Sequence, residues 1–310
     1  MKKVAIIILN WNREKDTLDC LYSIRKLTIK DVFLSIFVVD NNSQDNSVPN
    51  IKKQFPEVQI TKNAQNLGFT EGNNVGIRQV LENQADYVII LNNDTIVDKD
   101  FVNNLLCILE SENRIGIVGP KIYFAKGFEF HKNRYKDEEK GKVIWYAGGL
   151  IDWNNIICHH RGVDEVDHRQ YDRSEETDFV SGCCMAVKKE VFEKIGLFDK
   201  KYFMYLEDVD LCQRAKRAGW KITYEPKAVI WHKNAASSGK PGSKVHNYYL
   251  ARNRLLFGMR YASVRTKLAL IKESFFLLIR NLPGERKGII DFYLRRFGNG
   301  GILIFGHTRY

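Results

Sequence analysis

The chain has 310 residues, 44% hydrophobic and 27% charged, with only 6 prolines. This suits one large α/β domain or two small ones and excludes a disordered, collagen-like or linker-dominated protein. The net charge of +11 is uneven: residues 241–310 hold 13 Lys/Arg against 3 Asp/Glu, whereas the first 240 hold 35 against 34. The basic character thus belongs to the tail, and with no aromatic RNA motif or helix-turn-helix pattern the chain does not read as a nucleic-acid binder.

The opening MKKVAIIILNWN has a basic start and a short apolar run. It lacks the length and the small-residue cleavage site of a signal peptide. Val4–Leu9 reads instead as a parallel strand buried on both faces. A polar turn at Asn10–Arg13 precedes helical periodicity over 14–27 through Leu18, Leu21 and Ile24. Ser35–Val39 is a second apolar run, ending in Asp40-Asn41-Asn42-Ser43. Asn66-Leu67-Gly68 leads into a helix near 71–83, and Gly68 and Gly72 permit close backbone approach to a ligand. Tyr87–Leu91 is a third buried strand, ending in Asn92-Asn93-Asp94-Thr95; a helix near 99–111 and a strand at Ile115–Val118 complete the alternation. Such alternation predicts a parallel sheet with right-handed crossovers, whose ligand lies beyond the carboxyl ends of the strands. The polar clusters at Asn10, Asp40 and Asp94 all fall at those ends.

Residues 125–178 read as hairpins and loops, with short apolar pieces at Val143–Tyr146 and Ile156–Cys158. Regular structure is expected again at Phe179-Val180-Ser181-Gly182. Helices near 188–195 and 208–218 then stop at Gly196 and Gly219, and short strands follow at Lys221–Tyr224 and Ala228–Trp231. From about 244 the tail reads as two or three basic amphipathic helices broken at Pro283-Gly284. Leu268–Leu282 is the most apolar piece, but Lys272, Glu273 and Arg280 interrupt it before the ~18 residues of a membrane span. The six cysteines are scattered with no CxxC pair, which speaks against a structural zinc or redox motif and for a reduced compartment.

Each candidate residue has an ordinary reading beside a chemical one. Asp40 is either a turn or cap residue or a carboxylate accepting an N–H from a pyrimidine base. Asp94 is a loop residue or an oxygen ligand for a divalent metal that a nucleotide diphosphate would also bind. Glu207, Asp208 and Asp210 suit a helix N-terminus, yet the large apolar residues before them would desolvate an acid and fit it for general-base work. His232 is a core histidine or a ligand, and His159-His160 reads as surface. The glycine spacings match neither a Rossmann fingerprint nor a P-loop.

In order along the chain, IILNWN (7–12), VVDNNSQD (38–45), NLGFTEGNN (66–74), ILNNDT (90–95), YAGGLID (146–152), FVSGCCMAVKKEVFEKIGLFD (179–199), YFMYLEDVDLCQRAKRAGW (202–220), IWH (230–232) and YYLARN (248–253) resemble the family 2 glycosyltransferases, in particular the rhamnosyltransferase-like branch. The likeness covers about residues 3–257. It implies an inverting enzyme of the GT-A fold: an α/β unit over 1–240, with a nucleotide-binding half to 120 and an acceptor and catalytic half after it. A basic helical extension over 241–310 follows.

The implied roles are Asp208 as catalytic base with Glu207 beside it, and Asp40 as base-recognition carboxylate. Asp94 and His232 would be ligands of Mg or Mn. Asn10, Asn12, Asn42, Gly68, Asn73, Asn92, Asn93, Gly182 and Arg252 would lie around nucleotide and donor, with Arg252 on a phosphate. Asn92 stands where the DxD motif of the family has its first carboxylate, so metal affinity should be weaker. The implied donor is a nucleoside-diphosphate sugar such as dTDP-rhamnose, and the implied acceptor is a glycan, free or polyprenyl-linked, for surface polysaccharide. The location would be cytoplasmic, with peripheral contact at the inner membrane face through residues 260–300. A helical cap that leaves its basic face in water is the competing reading of that tail. A sugar nucleotidyltransferase would need a glycine-rich loop after the first strand, which LNWNREKD lacks. A non-catalytic nucleotide-sugar-binding subunit would not need the acids Asp40, Asp94 and Asp208.

Overall fold

The computed structural model describes residues 1–131, 133–234, 242–280, 282 and 284–300. Its first half alternates β1 (Lys2–Asn10), α1 (Glu14–Ile24), β2 (Val32–Asp40), α2 (Ser47–Gln54), β3 (Gln59–Lys62), α3 (Gly68–Glu82), β4 (Tyr87–Asn92), β5 (Thr95–Val97), α4 (Phe101–Ser111) and β6 (Ile115–Phe124). Val4–Ile8 and Val88–Leu91 are essentially inaccessible to solvent, as unbroken apolar runs in a doubly covered parallel sheet require. The pair α2 and β3 was not legible in the sequence. Polar SVPNIKKQ shows no apolar stripe, and Pro49 is tolerated only because it falls in the first helical turn.

The second half holds β7 (Ile144–Tyr146), the hairpin β8 (Gly149–Asp152) and β9 (Ile157–His160), β10 (Glu175–Glu176), β11 (Cys184–Lys188), α5 (Lys189–Ile195), α6 (Glu207–Arg217) and β12 (Lys221–His232). The helices α7 (Lys244–Tyr261), α8 (Val264–Arg280) and α9 (Glu285–Tyr293) follow. Among the described residues the main sheet runs β10-β12-β6-β11-β4-β1-β2-β3, with β5 on β12 and β7 on β6. The long pairings are parallel: β1 with β2 and β4, β2 with β3, and β12 with β6. β11 lies antiparallel between β4 and β6 and joins the two parallel blocks.

Two local expectations are corrected. Residues 179–182 form the loop before β11, touching strand structure only through a bridge from Phe179 to Gly149. The two short strands expected over 221–231 are one strand, β12, whose register slips between Glu225 and Val229 so that Pro226 needs no ladder bond. The tail helices share the main core through Leu255, Leu256, Phe257, Leu270 and Ile289. Of the expected helix break, Pro283 lies outside the described residues, while Gly284 adopts φ 84 just before α9.

Candidate active site

Register alone brings the strand-end polar residues together. Asn10 lies opposite Asp40, and its neighbour Leu9 opposite Asn92. Asn10 is fully buried and donates from Nδ2 to Asp40 Oδ1 at 2.9 Å and to Ser43 Oγ at 3.1 Å. Its Oδ1 accepts from Thr17 Oγ1 at 2.8 Å and from Asn93 Nδ2 at 3.3 Å. Asn93 also donates to Thr17 Oγ1 at 2.9 Å. Asp40 accepts the Ser43 N–H at 3.0 Å and has no accessible surface. Asp40 therefore organises the 41–43 turn from within. Asn12 and Asn42 sit at the rim of this network in left-handed conformations, φ 52 and 63. Asn12 is exposed and Asn42 half-buried. Asn92 ends β4, half-buried.

Asp94 meets His232 because β5 lies antiparallel on the last residues of β12, with Thr95 opposite His232. Asp94 Oδ1 is 3.1 Å from His232 Nε2, and both residues are buried. Burial works against a charge on His232, but the Asp94 carboxylate and Cys183 beside it outweigh this and raise its pKa. Trp145 presents its ring edge-on to His232, centroids 4.7 Å apart, and to His160 at 4.3 Å. His160 is thus not the surface residue expected. Burial lowers its pKa to about 4, and its Nδ1 faces the Trp145 carbonyl at 3.1 Å.

Asp208 stands in the first turn of α6. Its Oδ2 accepts the Gly182 N–H at 2.7 Å and its Oδ1 the Val209 N–H at 2.8 Å. Desolvation raises its pKa, offset in part by those two N–H donors. Glu207 is raised well above the usual carboxylate range by burial and by Asp208, and its Oε2 is buried without a hydrogen-bond partner. Gly182 leaves room for the Phe69 ring, which a Cβ there would approach at 3.1 Å. The next residue ties this carboxylate to the strand end, since the Cys183 carbonyl accepts the Asn92 N–H at 2.8 Å.

The loop before α6 is strained. Phe203, Tyr205 and Leu206 all have φ of 67–68°, left-handed backbone without glycine. Three contacts hold it. The Phe203 carbonyl accepts the Phe69 and Thr70 N–H groups at 2.9 and 3.1 Å, capping α3. Asn253 donates from Nδ2 to the Tyr202, Met204 and Tyr205 carbonyls at 3.0, 2.7 and 2.9 Å. Arg252, fully buried, donates to the carbonyls of Lys201, Tyr202 and Gly298 at 3.1, 2.7 and 2.7 Å. Arg252 therefore braces the 201–205 loop, its guanidinium taken up by carbonyls. A cation in the YYLARN motif looked like an anion ligand, and only the fold shows its guanidinium directed at carbonyls.

Asp210, the third acid of YLEDVD, is also structural. It accepts from Tyr202, Tyr261, Arg214 and Arg260 at 3.1, 2.8, 2.8 and 2.9 Å. Asn73 is buried on α3, bonding through Nδ2 to its own helix at the Phe69 carbonyl, while its Oδ1 has no partner. The braces at Asn253 and Phe203 were not singled out from the sequence, and no local signal marks backbone contacts between segments this far apart in the chain. Gly68 opens α3 at φ 75, with Phe203 ring atoms 2.6 Å from where a Cβ would sit. Gly68→Val should lower stability by about 1–3 kcal/mol through left-handed strain and displacement of that ring, read as a shift in the urea unfolding midpoint.

Residues 2–248 match the family model described as glycosyltransferase like family 2. The chain is 28% identical over 216 residues to an N-acetylglucosaminyl-diphospho-decaprenol L-rhamnosyltransferase of Mycobacterium tuberculosis, covering 67% of this chain and 69% of that protein. It is 26% identical over 283 residues to the dTDP-rhamnosyl transferase RfbF of Shigella flexneri, covering 89% and 86%. Among solved structures, GalNAc-T7 with UDP, GalNAc and Mn2+ aligns at TM-score 0.62 and 14% identity, over 95% of this chain and 57% of that one. The mannosyltransferase PcManGT from Pyrobaculum calidifontis with GDP-Man and Mn2+ aligns at 0.53 and 16%, over 94% and 75%. These likenesses bear out the GT-A fold.

Proposed function

The chain belongs to the glycosyltransferase-like family 2, and from that premise we propose that it transfers a deoxyhexose such as rhamnose, with inversion, from a nucleoside-diphosphate sugar to a hydroxyl of a lipid-linked glycan. The observation that carries the reading is the pair Gly182-Cys183. One of its residues fixes a desolvated carboxylate at Asp208, and the next fixes the strand end that presents Asp94. In the proposed reaction the acceptor hydroxyl gives its proton to Asp208 as its oxygen bonds to the anomeric carbon. The bond from that carbon to the diphosphate breaks on the opposite face, and its electron pair leaves with the diphosphate. No covalent intermediate on the enzyme is required.

The donor set fits a divalent cation. Asp94 and His232 pair a carboxylate with an imidazole, and His232 Nδ1 is buried without a hydrogen-bond partner. No group of three His, Cys, Asp or Glu able to hold a metal occurs among the described residues, so oxygens of the donor diphosphate would complete the coordination. When bound there, Mg or Mn would neutralise charge on the leaving diphosphate.

The sugar and acceptor are supported by the activities of the Shigella and Mycobacterium relatives. An acceptor held on a lipid also puts the C-terminal extension at the membrane surface. No described helix is long and apolar enough to cross a membrane. Calorimetry with dTDP, UDP and GDP, each with Mn2+ or with EDTA, tests the reading. We expect dTDP to bind best, and Asp94→Ala to weaken it about tenfold with Mn2+ while leaving the EDTA value unchanged. Equal affinity of Asp94→Ala and the parent in both conditions would remove the metal from Asp94. A preference for UDP would retain the transferase and replace the donor.

A further inference from the structure

The helix α8 has two apolar faces, and the fold covers only one. Thr266, Leu270 and Ser274 are 2–6% exposed and pack inward, with Leu270 against α7 at Gly258. Opposite them, Val264, Leu268, Phe275, Phe276 and Ile279 are 58–81% exposed. At ~100° per residue, Val264, Phe275, Leu268 and Ile279 fall within an arc of about 60°, so the exposed residues form a stripe and not a scatter. Phe275 stacks on Tyr293 at 5.8 Å, which carries the patch onto α9, where Leu294 just beyond the helix is 55% exposed.

Cations surround this stripe: Arg265, Lys267 and Lys272 on α8, and Arg286 and Lys287 on α9. The acid on α8, Glu273, is paired with Arg254 at 2.8 Å; on α9, Asp291 is buried and pairs with Lys287 at 3.7 Å, and Glu285 stands in the first turn. Large aromatics within a cationic frame match an anionic lipid surface, where rings enter the acyl boundary and ammonium and guanidinium groups meet phosphates. A second copy of the chain would bring the same excess of 13 Lys/Arg over 3 Asp/Glu against it, and like charge opposes that pairing.

We infer that the outer face of α8, continued by Tyr293 and Leu294, is the membrane-docking surface of this protein, lying in the plane of an anionic leaflet. This rests on the reading of a lipid-linked acceptor, and it adds the residues and the lipid charge that make the contact. Since α7 both packs on α8 and braces the loop before Asp208, docking through this face would hold the catalytic half at the leaflet that carries the acceptor.

The test is co-sedimentation of the full chain with phosphatidylcholine vesicles, with and without about 30% phosphatidylglycerol, at low salt. The parent is compared with the double variant Phe276→Ser, Ile279→Ser. Both positions are exposed, so the unfolding midpoint should not move. The parent should bind the anionic vesicles, and the double variant at least about tenfold more weakly. Absence of parent binding, or equal binding by the variant, would overturn the proposal. So would a parent dimer in analytical ultracentrifugation that the variant abolishes, since a second copy would then cover the face. Calorimetry with dTDP and Mn2+ on the same samples separates the two readings. Donor binding without vesicle binding removes only the docking surface, whereas vesicle binding without dTDP binding removes the dTDP-sugar donor and leaves the docking surface standing.

Discussion

Asp208→Asn should lower kcat by about 10²–10⁴-fold and leave dTDP affinity within about twofold, because the amide keeps the shape and loses the base. The Asn Oδ1 can still accept the Gly182 N–H that Asp208 Oδ2 accepts at 2.7 Å, which keeps the tie to the loop, although its NH2 cannot accept the Val209 N–H. Single-turnover kinetics beside calorimetry check this; a variant that binds donor and transfers at the parent rate would refute the assignment. The pH profile has a definite sign. Desolvation raises both Asp208 and Glu207, so the active, deprotonated state is lost at a higher pH than for an ordinary carboxylate as the solution is acidified. Glu207→Gln should leave that acid limb nearly in place, because Glu207, raised further by burial and by Asp208, is still neutral while Asp208 titrates. Stability follows the same sign. A carboxyl whose folded pKa lies above its unfolded value stabilises the fold fully below the unfolded pKa, and this is lost as pH rises through the folded one. Glu207→Gln should therefore be relatively more stable towards neutral pH, where the parent pays for a buried charge.

Arg252→Ala should cost about 3–5 kcal/mol of folding stability and leave the dTDP affinity of the folded protein unchanged within about twofold. Removing the guanidinium strands the Lys201, Tyr202 and Gly298 carbonyls that it satisfies. It also releases a loop that carries left-handed residues at 203, 205 and 206. Urea unfolding and calorimetry together decide the matter. A phosphate contact would show the reverse pattern, with stability kept and donor affinity reduced about tenfold or more. Arg252→Lys should recover only part of the loss, since one ammonium cannot reach every carbonyl that the planar fork reaches.

Much of the scaffold was legible because it rests on short-range rules. The unbroken apolar runs of β1 and β4 mark strands covered on both faces, and Gly196 and Gly219, at φ 74 and 92, stop α5 and α6 as glycine should. The elements without such a signature were missed. In α2 a polar turn with an internal proline hides the helix, and β12 looks like two strands because Pro226 interrupts its pattern while the sheet absorbs the slip.

The site divides along the same line. The sequence by itself determined the family, the strand-end placement of Asn10, Asp40 and Asp94, and an acidic turn at the head of α6, since strand length and motif order leave little freedom in those. Tertiary structure decided what the residues do there. Asp94 meets His232 across 138 positions only because β5 folds back on β12. Asp40 bonds within the asparagine network, His160 meets Trp145 edge-on, and Arg252 lies beneath the loop before α6. In each case the side chain alone allows a ligand role or a structural one. The difference lies in desolvation and in which partners the packed fold supplies, and neither quantity exists until distant segments meet.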